Sequence, residues 1–90
     1  MDNPIISVIP ASAYLDREGG IDFFFICNGL SGVEKIPLQC KTGAFGQIAH
    51  RVREPQVPSL LIRPGMSDDD IRTRLLDIIK KYLMGEVVHI

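Results

Sequence analysis

The hydrophobic positions change period several times along the chain, and each change marks an element. Ile5, Ile6, Val8 and Ile9 form a β-branched cluster that predicts a first strand ending near Pro10. Residues 11–18 have no clear period and read as either an extension into a hairpin or a loop. Asp16, Arg17, Glu18, Gly19 and Gly20 give a turn signal there. Residues 21–27 (IDFFFIC) are the most apolar stretch, and three consecutive phenylalanines place rings on both faces of a central strand. Asn28, Gly29, Ser31 and Gly32 then supply a turn.

From 35 to 41 the period is two: Ile36, Leu38 and Cys40 alternate with Lys35, Pro37, Gln39 and Lys41. This predicts a strand with one buried and one wet face. Pro37, which has no N–H for the ladder, predicts that it lies at an edge. Phe45, Ile48, Ala49 and Val52 then follow helical spacing, with Thr42 available as N-cap and Gly43 and Gly46 weakening the helix. Pro55 and Pro58 bracket a linker, and residues 59–63 predict a short strand closed by Pro64 and Gly65.

The strongest pattern spans residues 67–84. Ser67 with Asp70 makes a close variant of the capping box, and Met66 with Ile71 occupies the staple positions. Asp68, Asp69 and Asp70 lie at the positive end of the helix dipole, and Lys80 and Lys81 near the other end. Ile71, Leu75, Ile78, Ile79, Tyr82 and Leu83 build the apolar stripe, widened by Leu76, and Gly85 suits a left-handed terminus. Val87, Val88 and Ile90 form a possible terminal strand. The expected fold is α+β over a single domain, residues 1–90. It has a mainly antiparallel sheet of 4–5 strands with two helices on one face, in the order βββαβα with an optional last β.

Composition narrows the function classes. Ninety residues with 46% apolar content suit one folded domain. Ten basic and eleven acidic residues give a net charge of −1, without the basic excess usual in proteins that grip phosphate backbones. No apolar run reaches the ~20 residues needed to span a bilayer. The amino-terminal stretch lacks a positive n-region and reads as a strand, so a cytoplasmic protein with reduced Cys27 and Cys40 is expected.

Candidate chemistry is sparse. Cys27, Cys40, His50 and His89 match no zinc spacing, so no metal site is expected. Cys40, His50 and Glu54 can be named as a nucleophile, base and orienting acid, but a cysteine on an apolar strand face would be buried and inert. Gly43 and Gly46 lie between a strand and a helix, where an anion can bind, yet their order is not that of a phosphate loop. Helix capping accounts for the three aspartates.

These readings rank three functions. The first is a small non-enzymatic protein-interaction domain, an adaptor or accessory protein that self-associates as a homodimer, with no catalytic residue, cofactor or metal. Its surface is expected at Lys35, Pro37, Gln39 and Lys41 or along the last helix. The second is a nucleic-acid-binding regulator using the basic stretch 41–63, with Lys41, Arg51, Arg53 and Arg63. The third is a small enzyme, or a subunit completing a shared active site.

Overall fold

A computed structural model describes residues 4–90. The part of the first-strand reading that concerns residues 1–3 lies outside the described residues. The elements are β1 (Ile5–Pro10), α1 (Ala13–Gly19), β2 (Phe23–Gly29), β3 (Gly32–Lys41), α2 (Ala44–Arg53), β4 (Ser59–Leu61) and α3 (Asp68–Leu83). The strands form one four-stranded sheet in the order β1-β2-β3-β4. The β1–β2 and β2–β3 pairs are antiparallel, and β3–β4 is parallel through the α2 crossover. The chain is thus a small α+β domain, as the pattern predicted.

The core forms where alternate strand residues meet α3. Phe25 and Cys27 from β2, Ile36 and Leu38 from β3, and Leu60 from β4 pack with Ile78 and Ile79 of α3. The rest of the predicted α3 stripe, including Ile71, Leu75, Tyr82 and Leu83, closes around them. Residues on either side of Leu60 point the opposite way, and there Ser59 meets α2 through the Gln47 side chain at 3.3 Å. The two long helices therefore take opposite faces at β4 instead of sharing one.

Several local expectations are corrected. Residues 13–19 form a helix, with the Ser12 side chain accepting from Leu15 N–H and Gly20 closing it at φ 65°. β3 is not an edge strand, because β4 pairs with Gln39, Cys40 and Lys41. The proline is nevertheless accommodated. Gln39 N–H points towards β4, to Pro58 O at 3.1 Å. Pro37 presents its nitrogen on the same side, beyond the end of β4, where no ladder bond is lost. Gly43, not Thr42, caps α2, without a side-chain hydrogen bond. β4 is shorter than predicted, and the last residues run beside it: Leu61 N–H donates to Ile90 O at 2.7 Å, and Ser59 bridges His89 in parallel.

The apolar stripe of α2 faces outward. Phe45 is 89% exposed, Val52 76% and Ile48 57%, while His50 on the other side of the helix is buried. Of the four phenylalanines only Phe25 is buried. Among the described residues no helix is long and apolar enough to cross a membrane.

The start of α3 forms as the sequence predicts. Ser67 Oγ accepts from Asp70 N–H at 3.1 Å, and an Asp70 carboxylate oxygen accepts from Ser67 N–H at 3.2 Å. Ser67→Ala removes one arm of this box and is expected to cost about 1 kcal/mol. At roughly 4–8 °C per kcal/mol for a domain of this size, a thermal melt should register the loss clearly. An unchanged midpoint would mean that water caps the helix equally well.

Candidate functional site

An open cleft of about 360 Å³ lies between the end of α1, the end of β3 and the inner side of α2. α1 contributes Asp16, Arg17 and Gly20, β3 contributes Gln39 and Lys41, and α2 contributes His50, Arg53 and Glu54. The cleft follows from topology. The β3–α2–β4 crossover leaves the carboxyl end of β3 beneath α2, and α1 abuts that end because Gly20 packs against His50 and Glu54.

Asp22 is tied to the strand beside it. Its N–H donates to Leu38 O at 2.8 Å, and its carboxylate accepts from Cys40 N–H at 2.8 Å. It is thereby fastened to both sequence neighbours of Gln39. Burial raises the Asp22 pKa above the usual aspartate value. The Cys40 N–H opposes this, Asp16 adds to it through a side-chain hydrogen bond and its charge, and Lys41 lowers it. The Asp22 carboxyl thus meets that of Asp16, which lines the cleft, with Lys41 close by.

Gln39 is only 6% exposed, and its amide oxygen is buried with no hydrogen-bond partner among the described residues. A buried carbonyl left unpaired costs roughly 1–3 kcal/mol, so such groups call for an explanation. Asp16 and Lys41 line the same cleft, and the Lys41 stem runs alongside Gly46 of α2. Two carboxylates and an amide oxygen are oxygen donors suited to a Mg²⁺-class cation and poorly suited to soft metals. Among the described residues no three His, Cys, Asp or Glu side chains converge as a metal cluster.

The residues singled out for an interaction face on β3 and for a basic stretch over 41–63 lie at several places on the fold. Gln39, Lys41 and Arg53 meet in the cleft. Lys35 lies farther along β3 with its ammonium 4.2 Å from the centre of the Phe24 ring, and Pro37 is half-buried. Arg51 is exposed beside His89, and Arg63 is exposed beyond β4. The expected wet face of β3 is therefore broken at Gln39, which α1 and α2 cover. Cys40, His50 and Glu54 do not converge: Cys40 packs towards the α3 core, whereas the other two line the cleft on the opposite side. Both thiols are free, and burial pushes their pKa values up, with Glu34 adding to the effect at Cys27 and Asp22 at Cys40.

One feature resembles catalytic chemistry without permitting it. Ser59 Oγ lies 2.8 Å from His89 Nδ1, but Ser59 is completely buried and unreachable by a substrate. The pair fastens the last residues instead. Gln47 Nε2 donates to Ser59 Oγ and to Ile90 O at 3.2 Å, and His89 Nε2–H donates to Pro55 O at 3.3 Å. Burial lowers the His89 pKa, the Pro55 bond opposes this, and the charges of His50 and Arg51 lower it further. The folded state therefore prefers neutral His89. Its contribution to stability is full above the unfolded value of 6.5 and falls as pH drops from there towards the lowered folded value. A stability-pH series should show this slope in the native protein and lose it in His89→Asn. An equal slope in both proteins would refute the assignment.

No family model, curated protein or solved structure matches the chain.

Proposed function

We propose that this protein hydrolyses phosphodiester bonds in nucleic acid, using a Mg²⁺-class cation held at the cleft. The observation that carries this reading is the buried amide oxygen of Gln39, without a partner among the described residues, in a cleft lined also by Lys41 and by Asp16, whose carboxyl bonds to that of Asp22. Asp16, Asp22 and Gln39 would hold the cation, which when bound polarises a phosphoryl oxygen and lowers the pKa of a bound water. Asp22 is pre-oriented for this by its bonds to Leu38 and Cys40. Lys41 places positive charge where negative charge develops on the phosphoryl oxygens. Arg17 and Arg53 stand at the rim as donors to flanking phosphates. The near-neutral net charge fits local phosphate contacts better than a broad basic surface.

The test is incubation of labelled single- and double-stranded DNA and RNA with Mg²⁺, Mn²⁺ or Ca²⁺ and with chelator. Cation-dependent cleavage of at least one substrate is the expected result. No cleavage, together with no Mn²⁺ binding by calorimetry, would remove the reading.

A second reading, a self-associating interaction domain, is supported by the outward stripe of Phe45, Ile48 and Val52 on α2. It predicts that light scattering finds an oligomer which a Phe45→Ser, Ile48→Ser double variant dissolves. A strictly monomeric native protein would count against it. The two readings use different sides of α2 and are compatible.

A further inference from the structure

We infer that His50 is a positioning residue for the Asp16–Asp22 pair, holding in place the turn from which both carboxylates are presented. The inference rests on the cation site proposed above and adds to it a residue that bears no ligand role. His50 is 5% exposed, and its Nε2 lies 2.9 Å from Val57 O. A carbonyl only accepts, so Nε2 donates its proton in this contact, and the Nδ1 edge of the ring faces the other way. That edge rests against Gly20. A Cβ placed on Gly20 would come within 3.1 Å of His50 Nδ1 and 3.2 Å of Cε1, with Glu54 Cγ at 3.1 Å on the same glycine.

Gly20 is a consequential place for such contact. It is the left-handed terminus of α1, at φ 65°, and its N–H closes the helix onto Leu15 O. Asp16 lies one helical turn before it and Asp22 two residues after it. A shift of this turn moves both carboxylates together. Behind His50, the His89 ring meets it edge-on at 5.8 Å, so it is braced from both sides. The charged groups around it are Asp16, Arg17, Lys41, Arg53 and Glu54 in the cleft, with His89 beyond. The arrangement is of the kind in which groups behind the ligands orient them, and loss of such support costs metal sites about 10–100-fold in affinity.

Mn²⁺ alone serves as probe, with hydrogen exchange of the Cys40 amide, which donates to the Asp22 carboxylate, as a readout needing no cation. His50→Ala is expected to weaken Mn²⁺ binding by roughly tenfold to a hundredfold and to speed Cys40 exchange, with the core amide of Phe25 still protected. His50→Gln, whose amide can still donate to Val57 O, should restore both readouts to within about threefold, a small part of that 10–100-fold range. A folded His50→Ala variant with native Mn²⁺ affinity and native Cys40 exchange would overturn the inference. Should His50→Ala not fold, His50→Leu fills the space without the bond to Val57 O or the ring edge on Gly20, and the same two readouts decide the matter. If the native protein binds no Mn²⁺, the cation site falls by that result. Cys40 exchange then decides the positioning role: faster exchange supports it, and unchanged exchange overturns it.

Discussion

Asp22→Asn is expected to abolish cation-dependent cleavage without lowering the stability of the fold, and to raise stability at neutral pH. The catalytic half of this expectation follows from charge. A bound cation at a phosphoryl group supplies several kcal/mol of transition-state stabilisation, and a loss of roughly 4 kcal/mol is about a thousandfold in rate. The asparagine keeps the carbonyl that accepts from Cys40 N–H but carries no negative charge to hold the cation. The stability half follows from the direction of the Asp22 shift. Its folded pKa is raised above 3.8, so the native state binds that proton more tightly than the unfolded chain does. Its contribution is greatest at low pH and falls as pH rises from 3.8 through the raised value, leaving an ionised carboxylate that burdens the fold at neutrality. Thermal melts of both proteins from pH 3 to 8 check this. The midpoint of the variant should exceed the native one at neutral pH, and the gap should shrink on acidification. A variant that cleaves at the native rate, or that melts lower at neutral pH, would show that Asp22 serves the fold instead.

That expectation was not legible in the sequence, and the reason is physical. Asp22 reads there as the second residue of a central apolar strand, and Gln39 reads as one of four residues on a wet strand face. Only tertiary structure buries Gln39, when α1 and α2 close over the end of β3. A signal was available in Ser12 and in Gly19 with Gly20, which bracket a possible short helix, but seven residues give little periodicity and a turn competes for the same letters. α3 was legible because its determinants are local: an N-terminal box, an apolar stripe along a sixteen-residue helix and a glycine at φ 88° just past its end. The α2 stripe was visible but its side was not. A helical period identifies which residues share a face, and it does not say whether that face meets the sheet. Here the inward positions belong to His50 and Gln47, which bond to the backbone of Val57 and Ile90. Polar groups with such partners can occupy a helix–sheet contact, leaving Phe45 and Val52 outside.

Leu60→Ala is expected to cost more than any change on that outward stripe. Leu60 is 1% exposed and lies in the cluster with Ile36, Leu38, Ile78 and Ile79. Truncation removes the apolar burial and leaves a cavity between sheet and helix, a loss of about 2–5 kcal/mol. Small domains have roughly 5–15 kcal/mol in total, so the midpoint should fall on the order of 10–30 °C. Phe45→Ala removes a larger side chain that is 89% exposed, and the isolated domain should change by no more than ~0.5 kcal/mol. Denaturant unfolding of both variants makes the comparison, and a Leu60→Ala loss below about 1 kcal/mol would contradict the core described above. The damage should also reach the cleft. β4 has only three residues, and its neighbour Pro58 receives the backbone N–H of Gln39. A β4 that no longer seats against α3 releases the strand end carrying Gln39 and Lys41, so Mn²⁺ affinity should fall even in the Leu60→Ala molecules that remain folded. Loss of stability with undiminished Mn²⁺ affinity would separate the cleft from the core and show that α1 and β3 alone hold its geometry.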